Sequence, residues 1–319
     1  MSLILNSKST YGQRQKVSFE CFILPFEMTV KSFIKSSQED NSIPQDPPVQ
    51  NYPPGVNYLS LFSQKGKLTV ITGGAGAIGG ALCEGFASCG SDVVILDTKF
   101  QPELSQHLEK TYGIQSKSFQ VDITNIEDVM LVFEKILEEF PGRELNTFIA
   151  NAGIAWTNGS ILNEGSTPEM WHRVMNVNVQ GTYHCCRYAA EIFKRQGHGN
   201  LILTASMSSY INNVPNYQTC YNASKAAVRQ MAKGFAVEFA SLTTPAGKIR
   251  CNSVSPGYTD TVLSSFVPTE QRARWWGLTP MGREALPQEL VGAYLYLASD
   301  AATYTNGCDI QVDGGYTCV

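Results

Sequence analysis

The sequence is poor in charge and in histidine, and it has no long apolar run; each shortage excludes a class of protein. Charged residues make up 16% of the 319 residues, and 24 basic against 28 acidic side chains give a net charge of −4. No excess of positive charge is present to bind nucleic acid. No apolar run reaches the roughly 18–20 residues that cross a bilayer, and the four scattered histidines predict no metal site. Hydrophobic residues still make up 43% of the chain, which is enough for one large core.

The nine cysteines are an odd number, and none of them form a C-x-x-C pair or a zinc-finger spacing. A disulfide framework is uncommon in a chain of this size, so we interpret them as free thiols in a reducing compartment. This interpretation predicts a cytoplasmic protein.

Residues 1–60 differ in composition from the rest, and we predict that they form an extended or disordered N-terminal extension. Basic residues precede a short apolar stretch at 21–26, which leaves two interpretations open. The segment is either a mitochondrial transit peptide or a disordered leader, in which case Met28 could be the true start. Residues 61–319 are predicted to form one domain.

From residue 61 onward, short apolar runs alternate with stretches of helical periodicity. Strands are predicted at 68–72, 93–96, 119–121, 147–150, 201–204, 249–254 and 309–312. Runs that are apolar on both faces are typical of a parallel sheet covered by helices on each side. We therefore predict an α/β fold of the doubly wound, Rossmann type, with a seven-stranded parallel sheet in a single domain.

A glycine-rich turn, Thr72 to Gly79, follows the first predicted strand and precedes the first helix. Glycines in this position let the backbone approach a pyrophosphate, which binds the free N–H groups at the helix start. Asp97 ends the second strand, where a carboxylate can accept hydrogen bonds from the adenosine ribose and repel a 2′-phosphate. The turn predicts a dinucleotide cofactor, and Asp97 favours NAD over NADP, although Lys99 could offset the repulsion.

Tyr221 and Lys225 are four residues apart and therefore share one face of a predicted helix. A cation near a phenol stabilises the phenolate and lowers the pKa of the tyrosine, so the pair is suited to general acid/base catalysis. Ser206 follows the fifth strand, the Asn151 to Gly153 turn follows the fourth, and Pro256 to Thr261 follows the sixth. Since ligands of open parallel sheets bind at the carboxyl ends of the strands, these signals predict one shared crevice.

Taken together, these motifs resemble those of the short-chain dehydrogenase/reductase family over residues 61–319. Within that family the chain is most similar to the yeast carbonyl reductases and the sorbose or polyol dehydrogenases. One position departs from the family's usual turn, because Ala77 stands where a glycine is usual and Gly76 precedes it. We expect a small shift of the loop there, with binding retained. The motifs that carry the resemblance are the Thr72-Gly73 turn, Asp122, Asn151-Ala152-Gly153, Asn178, Ser206, Tyr221-x-x-x-Lys225 and Pro256-Gly257.

The resemblance implies a role for each matching residue. Tyr221 would exchange a proton with the substrate oxygen, Ser206 would hydrogen-bond that oxygen, Lys225 would lower the pKa of Tyr221, and Asn178 would maintain a proton relay. Ser208 and Ser209 lie close enough to compete with Ser206 for this assignment, and Trp156 is predicted to form the pocket wall. The cofactor-binding residues would be Gly73, Gly76, Ile78, Gly79, Asp97, Asp122, Ile123, Asn151, Ala152, Gly153, Tyr221, Lys225, Pro256, Gly257, Thr259 and Thr261.

The resemblance also implies a substrate lid at about 259–282 and a homotetramer whose interface includes the helix near Pro287. The tryptophans of the lid are interpreted either as substrate contacts or as core and interface residues. The leading interpretation of function is an oxidoreductase for a secondary alcohol and ketone pair, with a polyol and ketose first. A 3-oxoacyl thioester reductase, supported by Arg272, Arg274 and Arg283, and a non-catalytic dinucleotide-binding regulator are the alternatives.

Overall fold

Short apolar runs form the strands of the computed structural model, which describes residues 55–242, 248–261 and 267–319. The seven strands are β1 (Leu68–Thr72), β2 (Asp92–Asp97), β3 (Ser116–Gln120), β4 (Leu145–Ala150), β5 (Gly199–Thr204), β6 (Ile249–Pro256) and β7 (Asp309–Val312). They belong to one folded unit, Asn57–Val319. Residues 1–54 of the predicted extension lie outside the described residues, so the character of that extension stays a prediction.

The strands pair in parallel in the order β3-β2-β1-β4-β5-β6-β7, which confirms the predicted fold class. The chain runs outward from β1 to β3 on one side and from β4 to β7 on the other. The strand order therefore reverses between β1 and β4, and loops that leave these neighbours turn to opposite faces of the sheet. A crevice opens there at the carboxyl ends of the strands, which is where ligands of such sheets bind.

Helices cover both faces of the sheet. They are α1 (Ala77–Ser88), α2 (Pro102–Tyr112), α3 (Ile126–Glu139), α4 (Pro168–Met175), α5 (Thr182–Gln196), α6 (Thr219–Ala240), α7 (Thr269–Leu278) and α8 (Pro287–Ala298). Successive strand residues point to opposite faces, so Val70 packs under α3, α5 and α6, whereas Ile71 packs under α1, α2 and α8. Burial on both faces explains why the strands read as continuous apolar runs.

Three features differ from the sequence-based expectation. Helix α2 was not predicted, because only Ser105 and Leu108 of its residues are buried. The Thr124-x-x-Glu127 spacing predicts a capping box at the start of α3, and this is wrong: the cap is Asn125, whose side chain accepts hydrogen bonds from the N–H groups of Glu127 and Asp128. The apolar spacing after Thr167-Pro168 predicts one long helix that ends by Gly197, but the structure has α4 and α5 joined by a π-helical turn, Asn176–Gly181.

The turn between β1 and α1 is built by glycines that tolerate no side chain. Gly73 has a φ of +68°, and a Cβ on Gly79 would lie 2.1 Å from the Gly73 carbonyl oxygen. Gly76 caps α1, which begins at Ala77. The alanine at position 77 is thus accommodated as the first residue of α1. The close backbone contact that the turn requires is between Gly73 and Gly79.

This packing predicts opposite effects for two neighbouring substitutions. Gly79→Ala places a methyl group against backbone and should lower the free energy of unfolding by about 1–3 kcal/mol. Gly80→Ala puts its Cβ 3.8 Å from the Gly74 carbonyl oxygen, an ordinary van der Waals contact, and should raise that free energy by about 0.5–1 kcal/mol, since alanine favours helix. Urea unfolding of both variants tests this, and equal stabilities would contradict the description of the turn.

Candidate active site

The carboxyl ends of β4, β5 and β6 deliver the predicted site residues to one edge of the sheet. Asn151 follows β4 directly, Ser206 lies two residues beyond β5, and Gly257 follows β6. Helix α6 then brings Tyr221 and Lys225 to the same edge, and its first turn follows the loop that leaves β5. The convergence that the sequence predicted is therefore present in the fold.

Tyr221 and Lys225 lie one helical turn apart on α6, with the Lys225 Nζ 5.8 Å from the centroid of the Tyr221 ring. Lys225 is 4% exposed, and its ammonium group donates a hydrogen bond of 2.8 Å to the carbonyl oxygen of Thr204, the last residue of β5. A buried ammonium is costly unless it is hydrogen-bonded. The bond therefore joins α6 to the strand that leads to Ser206.

Burial changes the protonation behaviour of both groups. It lowers the pKa of Lys225 to about 8. Burial also raises the pKa of Tyr221 above its usual value, while a hydrogen bond with Ser206 acts in the opposite direction. Loss of solvent around the phenol is therefore the largest effect on the Tyr221 pKa, and the lowering expected from Lys225 stays a prediction.

Ser206 is distinguished from its neighbours by its hydrogen bonds. Its Oγ accepts the backbone N–H of Ser208 at 3.1 Å, and it is the serine that bonds Tyr221. The hydroxyl of Ser208 instead donates to Asn213 at 2.8 Å. Among the three serines that compete for the role, the geometry favours Ser206.

Asn178 lies in the π-helical turn between α4 and α5, and its side chain is completely buried. The Oδ1 atom accepts the N–H of Ile154 at 2.8 Å, and Nδ2 donates to the carbonyl oxygen of Ile154 and to Ser224 Oγ at 3.0 Å each. A Cβ on Gly153 would lie 3.2 Å from Asn178 Oδ1 and 3.3 Å from Lys225 Nζ. Asn178 thus anchors the segment after β4 beside Lys225, and its expected part in a proton relay stays a prediction.

The loops that follow β1 and β4 are in close backbone contact. A Cβ on Gly73 would lie 2.8 Å from the Cα of Ala152, and the Asn151 Nδ2 donates to the carbonyl oxygens of Thr72 and Gly73 at 3.1 and 3.3 Å. A similar approach occurs after β6, where a Cβ on Gly257 would lie 2.6 Å from the Cα of Asp313. These side-chain-free positions form a cradle that suits the elongated backbone of a dinucleotide.

The residues predicted to contact the adenosine half lie along the same edge. Asp97 is half-buried at the end of β2, and its carboxylate accepts hydrogen bonds from the N–H groups of Ala75 and Lys99 at 3.1 and 3.0 Å. Asp122 accepts from the N–H of Thr124 at 2.9 Å. Ile123 is buried. Ile78, also predicted to bind cofactor, is half-buried in α1.

His184 is a residue that sequence reasoning missed here. It is buried on α5, and its Nδ1 lies 3.1 Å from the carbonyl oxygen of Ile123, so a proton on Nδ1 would be donated to that oxygen. The other ring nitrogen lies 2.9 Å from the side chain of Gln180. The sequence contains no local signal for this contact, because the partner of the histidine is a backbone carbonyl 61 residues away.

The predicted lid is in part a packed element. Residues 262–266 lie outside the described residues, and α7 follows them. Trp275 of α7 is 6% exposed and stacks on Tyr258, with ring centroids 4.3 Å apart and an interplanar angle of 4°. Trp275 therefore packs within the chain, as one of the two open interpretations expected. Thr259 Oγ1 donates to the carbonyl oxygen of Gly257, and Thr261 is half-buried.

Trp156, the predicted pocket wall, is 4% exposed and packs in a small cluster that also contacts Tyr221. Its indole N–H donates to the carbonyl oxygen of Gly159 at 2.8 Å. The side chain is near Tyr221, and its contact with substrate stays a prediction.

In residues 55–242, 248–261 and 267–319, no helix combines the length and the hydropathy needed to span a membrane. In the same residues, no cluster of three or more His, Cys, Asp or Glu side chains could hold a metal ion.

The chain is similar to known proteins over most of its length. The family model described as enoyl-(acyl carrier protein) reductase matches residues 73–317. A probable NADP-dependent mannitol dehydrogenase of Yarrowia lipolytica is 47% identical over 263 residues, which are 82% of this chain and 91% of that protein. A sorbose reductase of Candida albicans is 44% identical over the same shares of the two chains.

Solved structures give the same result. The crystal structure of an NADPH-dependent 3-quinuclidinone reductase from Rhodotorula rubra has a TM-score of 0.78 at 37% identity. The match covers 86% of this chain and all of the reductase chain.

The burial of Lys225 predicts a conflict between stability and activity. Lys225→Met replaces the buried ammonium by an apolar chain of similar length. It should raise the free energy of unfolding at pH 7 by on the order of 1–4 kcal/mol and abolish most of the activity. Because the pKa of Lys225 is about 8 in the folded protein, below its unfolded value, the burial cost is fully present below pH 8. The stability gained by the variant should therefore shrink as the pH rises through 8 toward 10.

Urea unfolding at pH 7 and pH 9.5 measures this difference. Lys233→Met is the matched control, since Lys233 is exposed on the same helix, and it should change stability by less than about 0.5 kcal/mol. A Lys225→Met variant that is less stable than the wild type at pH 7 would contradict the cost assigned to burying this ammonium.

Proposed function

The chain belongs to the short-chain dehydrogenase/reductase family, and from that premise we propose that this oxidoreductase interconverts a polyol and the corresponding ketose. The observation that carries the proposal is the convergence of Ser206, Tyr221 and Lys225 at the carboxyl edge of the sheet, beside the glycine cradle. The substrate class is supported by the relatives, which are named as mannitol dehydrogenase and sorbose reductase at 44–47% identity.

The cradle fits a nicotinamide dinucleotide, which we propose as the cofactor. Gly73, Gly79 and Gly257 have no room for a side chain, so they let the backbone segments at this edge pack closely, and a phosphate would bind at the N-terminus of α1. Asn151 and Gly153 would border the nicotinamide half, and Asp97 the adenosine half. When bound, the nicotinamide ring supplies or accepts the hydride.

The side chains of the protein supply the proton and the charge stabilisation. During reduction of the carbonyl, the Tyr221 hydroxyl donates its proton to the substrate oxygen. Ser206 accepts the Ser208 N–H with one lone pair, and with substrate bound its hydroxyl would donate to the same oxygen, where negative charge develops. A positive Lys225 near the Tyr221 ring stabilises the phenolate that remains, and Asn178 holds the backbone beside Lys225.

Cofactor choice depends on the charge of Asp97, and we propose that NAD is preferred. No salt bridge of Asp97 is present in the described residues. No cation in a described salt bridge therefore offsets the charge of this carboxylate, which lies at the strand end where the adenosine ribose would lie and would repel a 2′-phosphate. This preference would separate the chain from the relatives whose names describe them as NADP-dependent.

The alternative functions are less well supported. Two of the arginines that favoured a 3-oxoacyl thioester substrate are occupied, because Arg272 pairs with Glu284 and Arg283 pairs with Glu289. A non-catalytic regulator has no need for the complete set of Ser206, Tyr221 and Lys225. The homotetramer, with α8 and β7 at an interface, and the cytoplasmic location stay predictions.

Removing the phenol hydroxyl tests the proton-transfer role. Tyr221→Phe should bind the cofactor as the wild type does while kcat falls by about 10²–10⁴-fold, because it can no longer exchange the proton. Steady-state rates of ketose reduction and a fluorescence titration with NADH measure the two properties. Tyr304→Phe, at a fully exposed position, is the control. A Tyr221→Phe variant with a near wild-type kcat would refute the mechanism.

Neutralising Asp97 tests the cofactor choice. The wild type should have a higher kcat/KM with NADH than with NADPH. Asp97→Asn keeps an acceptor for the Ala75 N–H and removes the charge, so the preference should move toward NADPH by tenfold or more, which requires only about 1.4 kcal/mol. Asp97→Ser should change the preference in the same direction. A wild type that clearly prefers NADPH on one shared substrate would overturn the role given to Asp97.

A further inference from the structure

Asn213 is a buried polar residue in the loop between β5 and α6, and the roles described so far do not use it. Its side chain is only 2% exposed, whereas its neighbours Asn212 and Val214 are exposed. Those neighbours and Pro215 line a cavity of about 530 Å³ against α7 and the C-terminal residues. Asn212, Val214 and Pro215 of this loop therefore form a wall of the cavity, whereas the Asn213 amide is buried in the interior.

Both ends of the buried amide have a partner. Its Oδ1 accepts the hydroxyl of Ser208 at 2.8 Å, and its Nδ2 donates to the hydroxyl oxygen of Tyr258 at 3.4 Å. The first bond is short and the second is long, so the amide is held mainly through Ser208. Since an unpaired buried amide is costly, these two partners fix where Asn213 lies.

The bond to Ser208 leads directly to the catalytic serine. The backbone N–H of Ser208 donates to Ser206 Oγ at 3.1 Å, and the N–H of Ser209 donates to the Ser206 carbonyl oxygen at 2.9 Å. The Ser208 residue is thus held at its backbone by Ser206 and at its side chain by Asn213. Any movement of Ser208 changes the direction in which the Ser206 hydroxyl can donate.

The other partner links this chain of bonds to two further elements of the site. Tyr258 follows Gly257 at the end of β6, and its ring stacks flat on Trp275 of α7 at 4.3 Å. The edge of the Tyr316 ring packs against Tyr258 at 5.4 Å. The Tyr258 hydroxyl is therefore held in place by packing, and it gives the Asn213 amide a fixed neighbour on the side away from Ser208.

We propose that Asn213 is a positioning residue for the reaction. It holds the Ser208 side chain, and through Ser208 it orients the Ser206 hydroxyl. Asn213 is itself held by Tyr258, whose ring stacks on Trp275. The inference rests on the proposed function, because it takes Ser206 as the donor to the substrate oxygen. It adds to that function a residue outside the set Asn178, Ser206, Tyr221 and Lys225. Asn213 itself touches neither substrate nor cofactor in this account.

The role predicts a loss of kcat with little change in KM. The Ser206 hydrogen bond matters most where charge develops on the substrate oxygen, in the transition state. Asn213→Leu should lower kcat about tenfold, which corresponds to about 1.4 kcal/mol, while the KM values for ketose and cofactor change less than about twofold. A residue that only stabilised the fold would lower the melting temperature and leave kcat of the folded enzyme unchanged.

A double-mutant cycle on the full-length enzyme tests the route through Ser208. Ser208→Ala removes the hydroxyl that donates to Asn213 and keeps the N–H that donates to Ser206. If both residues act through one link, Ser208→Ala, Asn213→Leu and the double variant should all lose about tenfold in kcat. Losses that multiply to about a hundredfold in the double variant, or changes confined to KM, would overturn the proposal.

Asn252→Leu is the matched control. Asn252 is 1% exposed, and its amide also makes two hydrogen bonds: Nδ2 donates to the Thr305 carbonyl oxygen, and Oδ1 accepts the Cys308 N–H. Both partners lie in the loop before β7. It should lower the melting temperature and leave kcat within about twofold. If Asn213→Leu fails to fold, Ser208→Ala decides alone: a tenfold loss of kcat at unchanged KM supports the role, and a wild-type kcat overturns it.

The Tyr221→Phe variant separates this inference from the proposed function. A wild type that reduces ketoses, with an inactive Tyr221→Phe and fully active Ser208→Ala and Asn213→Leu, would overturn the role of Asn213 alone. A wild type without activity on any ketose or polyol would overturn the proposed function, and the role of Asn213 in it.

Discussion

The hydrogen bond from the Lys225 ammonium to the Thr204 carbonyl is the interaction on which the geometry of the site depends. It joins helix α6, which carries Tyr221, to strand β5, which leads to Ser206. A buried ammonium with this one acceptor cannot move far from it without losing its hydrogen bond in a region of low polarity. Tyr221 and Ser206 therefore keep a fixed relation, although 14 intervening residues separate them in sequence.

The glycine cradle imposes a second constraint, because it needs backbone contacts that exclude side chains. Gly73 approaches Ala152, and Gly257 approaches Asp313, at distances that leave no space for a Cβ. The amide of Asn151 fixes the first of these contacts by donating to two carbonyl oxygens of the turn after β1. Both constraints place costly features, a buried charge and unsubstituted backbone, at the edge where the proposed chemistry would occur, as is common in active sites.

The sequence predicted the sheet, and the placing of the main candidate site residues at one edge of it, because their signals are local. Buried parallel strands are apolar on both faces, so the run at 68–72 is recognisable without its neighbours. Tyr221 and Lys225 share a helix face by spacing alone. Helix α2 has few buried residues and gave no such signal. The contribution of burial to the Tyr221 pKa was not predicted, because it depends on how much solvent the fold removes, and spacing contains no information on burial.

The tertiary contacts of Asn213 and His184 could not be predicted from the sequence. An asparagine in a loop has the same appearance whether it is exposed, as Asn212 is, or buried against Ser208 and Tyr258. His184 acquires its partner, the carbonyl of Ile123, only when α5 packs beside the loop after β3. Both are recognised only from tertiary contacts.

Transfer of a deuterium label tests the central claim most directly. NADH and NADPH deuterated at C4 of the nicotinamide ring are each incubated with the enzyme and a neutral ketose, and the product is examined by NMR and mass spectrometry. The account predicts one deuterium on the new carbinol carbon of a single polyol stereoisomer, with faster transfer from NADH. Oxidation of the cofactor without deuterium at that carbon, or no polyol from any ketose tested, would contradict it.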